Sequence, residues 1–281
     1  MSTTGSFPLN ELPVELQREI FVVAAKVNQN SALQLARVAK RIHSWVQPLI
    51  YEMVTLGSDD TDLFLKTMNS ISSEFFGIYV KKLCLSVSVS ARNAARILTV
   101  CTGVIDLAFW VDYLGMFPNR SILPLISPLP LSRLSMEYNH FLSLFPEPET
   151  RHPWCDTLTH LDIIFWTHET APAVPHLDKL SQLTHLALRL RHSQPDEESL
   201  LAIVSACRRL KVLVIFDDTE TEETAWPADP RVIYMPYPQN IVGEWEAQAK
   251  WELDNIWSRA EDLVRRHIAE RERLYFFRFS R

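Results

Sequence analysis

The chain has 281 residues, of which 47% are hydrophobic and 22% are charged, and its formal net charge at pH 7 is −6. This composition is typical of a soluble globular protein with one extended or two small domains. An acidic balance without a basic stripe argues against nucleic acid as the main partner. No apolar run is long enough to cross a membrane.

The cysteines and glycines exclude several kinds of site. Four scattered cysteines form no CxxC pair, which argues against a disulfide framework or a zinc knuckle and favours a cytoplasmic or nuclear location. The six glycines form no phosphate-binding loop, and the signatures of serine hydrolases, zinc proteases and kinases are absent. Residues 1–5 lack the basic and apolar regions of a secretory signal. We therefore expect no catalytic residue, no cofactor and no metal.

Residues 12–56 predict three short helices followed by a strand. Pro13 suits the first turn of the first helix, Ser31 is a good N-cap for the second, and the third begins near Lys40, with a bend or break at Pro48. The first helix carries apolar residues at helical spacing, namely Leu12, Leu16, Ile20, Val23 and Val27. So small a bundle cannot bury this apolar surface alone, and we expect a partner for it.

This stretch resembles the F-box, the three-helix module that docks on the Skp1 subunit of a cullin-based ubiquitin ligase. Its Pro-Leu-Ile-Tyr ending, followed by a valine-containing strand, is similar to the form common in fungal F-box proteins. The sequence departs from the usual Cys-Lys/Arg-x-Trp run, where residues 39–42 read Ala-Lys-Arg-Ile. The resemblance implies that Skp1 binds Leu12, Pro13, Glu15, Leu16, Ile20, Phe21, Pro48 and Leu49. The alternative is a helical cap that only covers the end of the following core.

A leucine pattern then repeats through most of the chain. Segments of the form LxxLxL, loosely read, have central leucines separated by 24, 27, 27, 25 and 27 residues: Leu83, Leu107, Leu134, Leu161, Leu186 and Leu213. Such a period predicts a solenoid, in which each unit supplies one short parallel strand and a return that covers it. Residues 91–100 and 196–210 have helical patterns that suit such returns. The strand at 54–56 and another at 232–235 would extend the series.

The repeat resembles the helix-containing leucine-rich repeats that often follow an F-box. The asparagine that the family places five positions after the central leucine is present only as Asn139. The resemblance implies an α/β leucine-rich-repeat solenoid; an ordinary α/β domain with leucine-rich strands is the alternative.

Alternate strand residues are expected to lie on an exposed concave face. Their mixture of charged and aromatic side chains is typical of recognition surfaces. We therefore predict that this face binds a protein substrate through Lys82, Trp110, Arg133, Glu137, His160, Asp162, His185, Arg189 and Phe216. A metal site at His160, Asp162 and His185 would need further ligands, and none is predicted.

The C-terminal part predicts a strand and one long helix. Residues 217–223 are acidic and predict a solvated loop. The helix is predicted from Gly243 to Arg273, with an apolar stripe through Leu253, Ile256 and Leu263. We expect it to cap the last strand, because solenoid ends need protection; an interaction helix is the alternative. The basic, aromatic tail, residues 271–281, either docks back or binds a partner.

The predicted organisation is an F-box-like helical module (residues 1–53), a solenoid (54–238) and a C-terminal capping helix and tail (239–281). The implied function is substrate recruitment to a ubiquitin ligase, with a Skp1-like adaptor and an unidentified protein substrate as partners, and with no nucleic acid or membrane. A repeat scaffold with no link to a ligase is the first alternative. A hydrolytic enzyme with a deep polar pocket is the second.

Overall fold

The protein is described by a computed structural model covering residues 9–27, 29–166, 172–190, 195–217, 229–250 and 254–279. Across these ranges the chain forms an α/β fold around an eight-stranded sheet. All neighbouring strands are parallel and follow one another in chain order. Because parallel neighbours need a crossover connection, the returns between strands, where they are described, cross the same side of the sheet.

The strands are β1 (Met53–Leu56), β2 (Lys82–Leu85), β3 (Asp106–Phe109), β4 (Arg133–Glu137), β5 (His160–Ile164), β6 (His185–Arg189), β7 (Val212–Asp217) and β8 (Val232–Pro236). The helices before β3 are α1 (Val14–Lys26), α2 (Gln29–Leu35), α3 (Lys40–Tyr51), α4 (Ser58–Ser70), α5 (Ser73–Tyr79) and α6 (Ala91–Val100). Those after it are α7 (Tyr113–Met116), α8 (Leu123–Ile126), α9 (Tyr138–Ser143), α10 (Glu197–Ala206), α11 (Ile241–Lys250) and α12 (Ile256–Phe279).

The predicted alignment of the central leucines is confirmed. Leu83 pairs with Leu107, and the register continues strand by strand through Leu134, Leu161, Leu186 and Leu213. All six side chains are buried. We call the side of the sheet on which they lie the leucine face. Since side chains alternate along a strand, the leucines and the residues two positions after them form one continuous core with the returns.

The returns cover the leucine face with helices of different lengths. Helix α6 matches the predicted range, and Ser90 caps it by accepting a hydrogen bond from the Asn93 amide at 3.3 Å. Helix α10 ends at Ala206, four residues before the predicted end. Its N-cap is Asp196, which accepts from the Ser199 amide at 2.7 Å. These caps satisfy amides that the first turn of a helix leaves without partners.

The N-terminal helices form a small unit beside β1. Ala25, Ala32, Ile42 and Val46 are its buried residues. The N-cap predicted at Ser31 is wrong, because helix α2 begins at Gln29 and Ser31 lies inside it. Helix α3 continues through Pro48 to Tyr51, so it has no break at this proline.

The C-terminal part differs most from the prediction. The single long helix is in fact two, because Asn255 starts α12 by accepting from the amides of Trp257 and Ser258 at 2.9 and 3.2 Å. Residues 251–253, between the two helices, lie outside the described residues, as do residues 218–223 of the acidic segment. We call α11 and α12 together the cover, because they pack on the face of the sheet opposite the leucine face.

The position of the cover corrects the expectation that the C-terminal segment only caps the last strand. Helix α11 packs over β1 to β5 through Trp245 and Ala249. Helix α12 packs over β6 to β8 through Ile256, Trp257 and Ala260. The sheet is therefore sandwiched between two layers. In the part of the chain that is described, no helix combines the length and apolarity that a membrane crossing requires.

Candidate functional site

The residues predicted to bind a substrate share the face beneath the cover. We call this the polar face, defined by Lys82, Asp106, Arg133, His160, His185 and Val212 together with the residues two and four positions after each. Arg189 is 1% exposed and Trp110 is 4% exposed. Glu137, His160, Asp162, His185 and Phe216 are also buried, and Lys82 and Arg133 are half-buried. The expectation that these side chains are exposed is wrong, because the cover lies over most of them and Glu137 is bonded to His140.

Two cations of the polar face hold the C-terminal end of α11. Lys82 Nζ donates to the Ala249 carbonyl at 2.6 Å, and Arg133 Nη1 donates to the Gln248 carbonyl at 3.1 Å. The last carbonyls of a helix have no partner within the helix and carry the negative end of its dipole. The sheet therefore binds this helix end by hydrogen bonding and charge together.

Asp106, on β3, supplies a negative charge beside these two cations. Its carboxylate lies 3.4 Å from Arg133 Nη1. Burial raises the pKa of Asp106, although Arg133 and Lys82 oppose the shift. Burial likewise lowers the pKa of Arg133, which Asp106 opposes. Both directions show that desolvation is the larger effect at this pair.

A second ion pair is buried at the centre of the polar face. Arg189 Nε donates to both carboxylate oxygens of Asp162, at 2.9 and 3.0 Å. Ser135 donates to Asp162 at 2.9 Å and accepts from Trp110 Nε1 at 2.8 Å. The guanidinium carbon of Arg189 lies 4.3 Å from the ring centroid of Phe216. Arg189 Nη1 is buried and has no hydrogen-bond partner among the described residues.

The two histidines of the polar face stack under α12. The rings of His160 and His185 lie 4.3 Å apart with an interplanar angle of 2°, and Trp257 contacts both edge-on. His185 Nε2 lies 3.0 Å from a carboxylate oxygen of Glu261 on α12. Burial, with the charges of His185, Arg133 and Lys211, lowers the pKa of His160 to about 2. Burial also lowers the pKa of His185, although Glu261 opposes the shift.

The carboxylate of Asp162, which was considered as a metal ligand, is bonded to other side chains. Asp162 bonds Arg189 and Ser135, not the stacked imidazoles. Among the residues that the structure describes, no group of three or more histidine, cysteine or acidic side chains has an arrangement that could hold a metal ion.

Glu137 has a structural role that the sequence reading missed. It caps α9 by accepting from the His140 amide at 3.1 Å, and its carboxylate also bonds the His140 ring. His140 Nε2 in turn accepts from the amides of Tyr113 and Leu114, both at 3.2 Å. Burial would raise the pKa of Glu137, but bonds from His140 and Asn139 hold that pKa below its usual range. The three-residue spacing from Glu137 to His140 was the sequence feature from which this cap could have been predicted.

One cavity lies where β7 and β8 meet the cover. It has a volume of about 570 Å³ and is lined mainly by apolar groups, including Phe216, Met235 and Tyr237. Its charged lining residues, Glu244 and Arg259, bond each other at 2.9 and 3.0 Å. This pairing leaves the cavity without convergent free charges on the described lining.

The predicted Skp1-binding residues of the N-terminal unit differ in exposure. Leu16 is 52% exposed and Ile20 is 44% exposed, and Pro13 and Glu15 are exposed beside them. Leu12 and Pro48 are half-buried. Phe21 and Leu49 pack against the small core of the unit, so their side chains help to stabilise this unit.

Helix α1 directs its apolar stripe outward and a polar residue inward. Val23 and Val27 extend the exposed stripe at 56% and 74%. The buried Gln17 faces the core, where it donates to the Leu12 carbonyl at 2.8 Å and accepts from Arg41 at 2.5 Å. A surface helix ordinarily buries its apolar stripe, whereas α1 leaves this one exposed.

The comparisons with known proteins add no relative. The chain matches no protein-family model, and no curated protein matches its sequence. Its class is therefore defined by the geometry: an α/β protein with a parallel eight-stranded sheet, a covered polar face and an exposed apolar stripe on the N-terminal helices.

Proposed function

We propose that this chain is the non-catalytic substrate-recognition subunit of a Skp1–cullin–F-box type ubiquitin ligase. In this proposal α1 to α3 are an F-box-like module that docks a Skp1-like adaptor. The sheet and its returns are a leucine-rich-repeat solenoid that carries a target protein. Catalysis would then consist of raising the effective concentration of the target near the conjugating enzyme.

The outward apolar stripe of α1 carries this proposal. Leu16, Ile20, Val23 and Val27 are each at least 44% exposed, on a unit whose own core has few buried residues. Burying the exposed part of such side chains in an interface contributes about 1 kcal/mol each, because they are already partly buried. The F-box resemblance of residues 12–21 supplies the identity of the partner, and the aligned leucines support a repeat architecture.

Co-purification with a Skp1-like adaptor tests the proposal. Replacing both Leu16 and Ile20 by Asp should weaken binding by at least about a hundredfold, because two apolar contacts are exchanged for unpaired charges. A matched control replaces Leu63 and Leu201 by Asp, since these leucines are 62% and 43% exposed on α4 and α10. The control should bind as the unmodified chain does.

Two results would count against the proposal. Equal adaptor binding by the Leu16/Ile20 variant and the control would show that α1 is not the docking surface. Absence of adaptor binding by the unmodified chain would favour a repeat scaffold with no link to a ligase.

A further inference from the structure

We propose that α11 and α12 form a reversible intramolecular cover, which lifts from the polar face while the sheet stays folded, and that acid favours the lifted state. The stacked His160 and His185 beneath Trp257 and Glu261 are the acid-sensitive contact. Use of the uncovered face for target binding rests on the function proposed above. The opening itself does not, and can be measured on this chain alone.

The composition of the two sheet faces is the first argument for a removable cover. The permanently packed leucine face is built from apolar side chains. The polar face instead buries two ion pairs, Asp106–Arg133 and Asp162–Arg189, and leaves Arg189 Nη1 without a partner among the described residues. Burying charges costs several kcal/mol per ion before pairing offsets it. A face that is sometimes hydrated avoids that cost in its open state.

The contacts of the cover are the second argument. Lys82 and Arg133 bond main-chain carbonyls at the end of α11, and Glu261 bonds His185. Water can replace each of these polar contacts when the cover lifts, whereas the apolar contacts of Trp245 and Trp257 become exposed. The two helices are also joined to each other, since Trp257 Nε1 donates to Gln248 at 3.0 Å and Arg259 bonds Glu244. They are therefore expected to move together.

The effect of pH follows from the groups around the stacked histidines. Burial, Arg133 on β4 and Lys211 before β7 disfavour charge on both rings, and His185 disfavours it on His160. Among the described residues, Glu261 on α12 favours charge on His185. The closed state therefore binds fewer protons than the open state, in which His160 returns to its ordinary pKa of 6.5. Closure is fully favoured above pH 6.5 and is progressively lost as the pH falls toward 2. Between pH 7.5 and 5.5 the open fraction should rise about tenfold.

The four cysteines provide internal reporters of opening. Cys84 lies on the polar face and packs with Trp245 and Ala249 of α11. Cys101, Cys155 and Cys207 lie in the core on the leucine face. All four are buried. Lifting the cover exposes only Cys84, whereas unfolding of the sheet exposes all four thiols.

The experiment labels the full chain with dithiodipyridine at pH 7.5 and 5.5 and locates each label by mass spectrometry. Rates are divided by those of an unfolded cysteine peptide at the same pH, which corrects for the thiolate fraction. Cys84 should react faster than the other three cysteines, and its corrected rate should rise about tenfold at pH 5.5. His160→Asn should lose most of this rise, whereas the matched control His43→Asn, at an exposed histidine on α3, should keep it.

Equal corrected rates for all four cysteines at both pH values would overturn the proposal, because the cover would then open only when the sheet unfolds. A faster Cys84 whose rate does not change with pH, or changes equally in His160→Asn, would overturn the role of the histidines. The comparison of the four thiols needs only the unmodified chain, so it holds even if a variant fails to fold. Adaptor binding is not part of the readout, so failure here is distinct from failure of the ligase proposal.

Discussion

At the residue scale, the two faces of each strand have opposite chemistry. In β5, Leu161 enters the leucine core, while His160 and Asp162 lie beneath α12 and beside Arg189. Side-chain alternation explains this division, because adjacent residues of a strand point to opposite sides. The buried polar residues are tolerated because they bond one another: Asp162 accepts from Arg189 and Ser135.

Arg189→Met tests the buried ion pair. The change keeps an unbranched apolar stem but leaves the Asp162 carboxylate buried without its cation. We expect a loss of about 3–5 kcal/mol in the free energy of unfolding, because an uncompensated buried charge is costly. Urea denaturation followed by circular dichroism measures it.

Arg151→Met is the matched control for this prediction. Arg151 and Asp156 form an ion pair with side chains 63% and 54% exposed. Its loss should change the free energy of unfolding by about 1 kcal/mol or less, since solvent screens exposed pairs. Equal effects of the two substitutions would contradict the assignment of Arg189–Asp162 as a buried pair.

At the scale of elements, each strand depends on its neighbours for burial. The central leucine of β5 is completely buried, with Leu134 and Leu186 beside it in the register. A strand of this kind cannot bury its leucines alone, so the stability of the sheet comes from stacking neighbouring units. A cavity in a middle strand should therefore weaken the contacts on both sides.

Leu161→Ala should lower the free energy of unfolding by about 2–5 kcal/mol, which is usual when a large core side chain is truncated. Chemical denaturation at constant pH measures this loss. Leu63→Ala on α4, where the leucine is 62% exposed, should have an effect within about 0.5 kcal/mol. A small effect at Leu161 would show that the aligned leucines are not the main source of stability.

At the scale of the whole molecule, the N-terminal helices are the least buried layer. Their core consists of Ala25, Ala32, Ile42 and Val46 with partly buried neighbours. The sheet, in contrast, is packed on both sides by the returns and the cover. Regions with few buried apolar contacts open more readily than the rest of a protein.

Hydrogen exchange should therefore show two levels of protection. Amides of α1 to α3 should exchange faster than those of β3 to β6 in the isolated chain, since the helical unit has the smaller core. Addition of a Skp1-like adaptor should slow exchange in α1 and leave the strands unchanged. Equal protection of helices and strands in the free chain would show that the helical unit is not a separate region of low stability.

The sequence by itself was sufficient for the strands and their register. A leucine pattern with a period of 24–27 residues and two-residue alternation is local information, and the leucines align as it predicts. The start of α10 could also be predicted from the sequence, because Asp196 and the acidic first turn lie within a few residues of one another. The strands and most helical returns were predicted from such local patterns, whereas the N-cap expected at Ser31 was not found.

Only the tertiary structure decided what lies on the polar face. Arg133 bonds a carbonyl 115 residues away and Lys82 one 167 residues away, so neither contact leaves a local pattern in the sequence. The same mixture of charged and aromatic side chains suits a surface that binds another protein and one that binds the chain's own helices. The choice between them depends on long-range packing of Trp245 and Trp257, which alternation along a strand cannot encode.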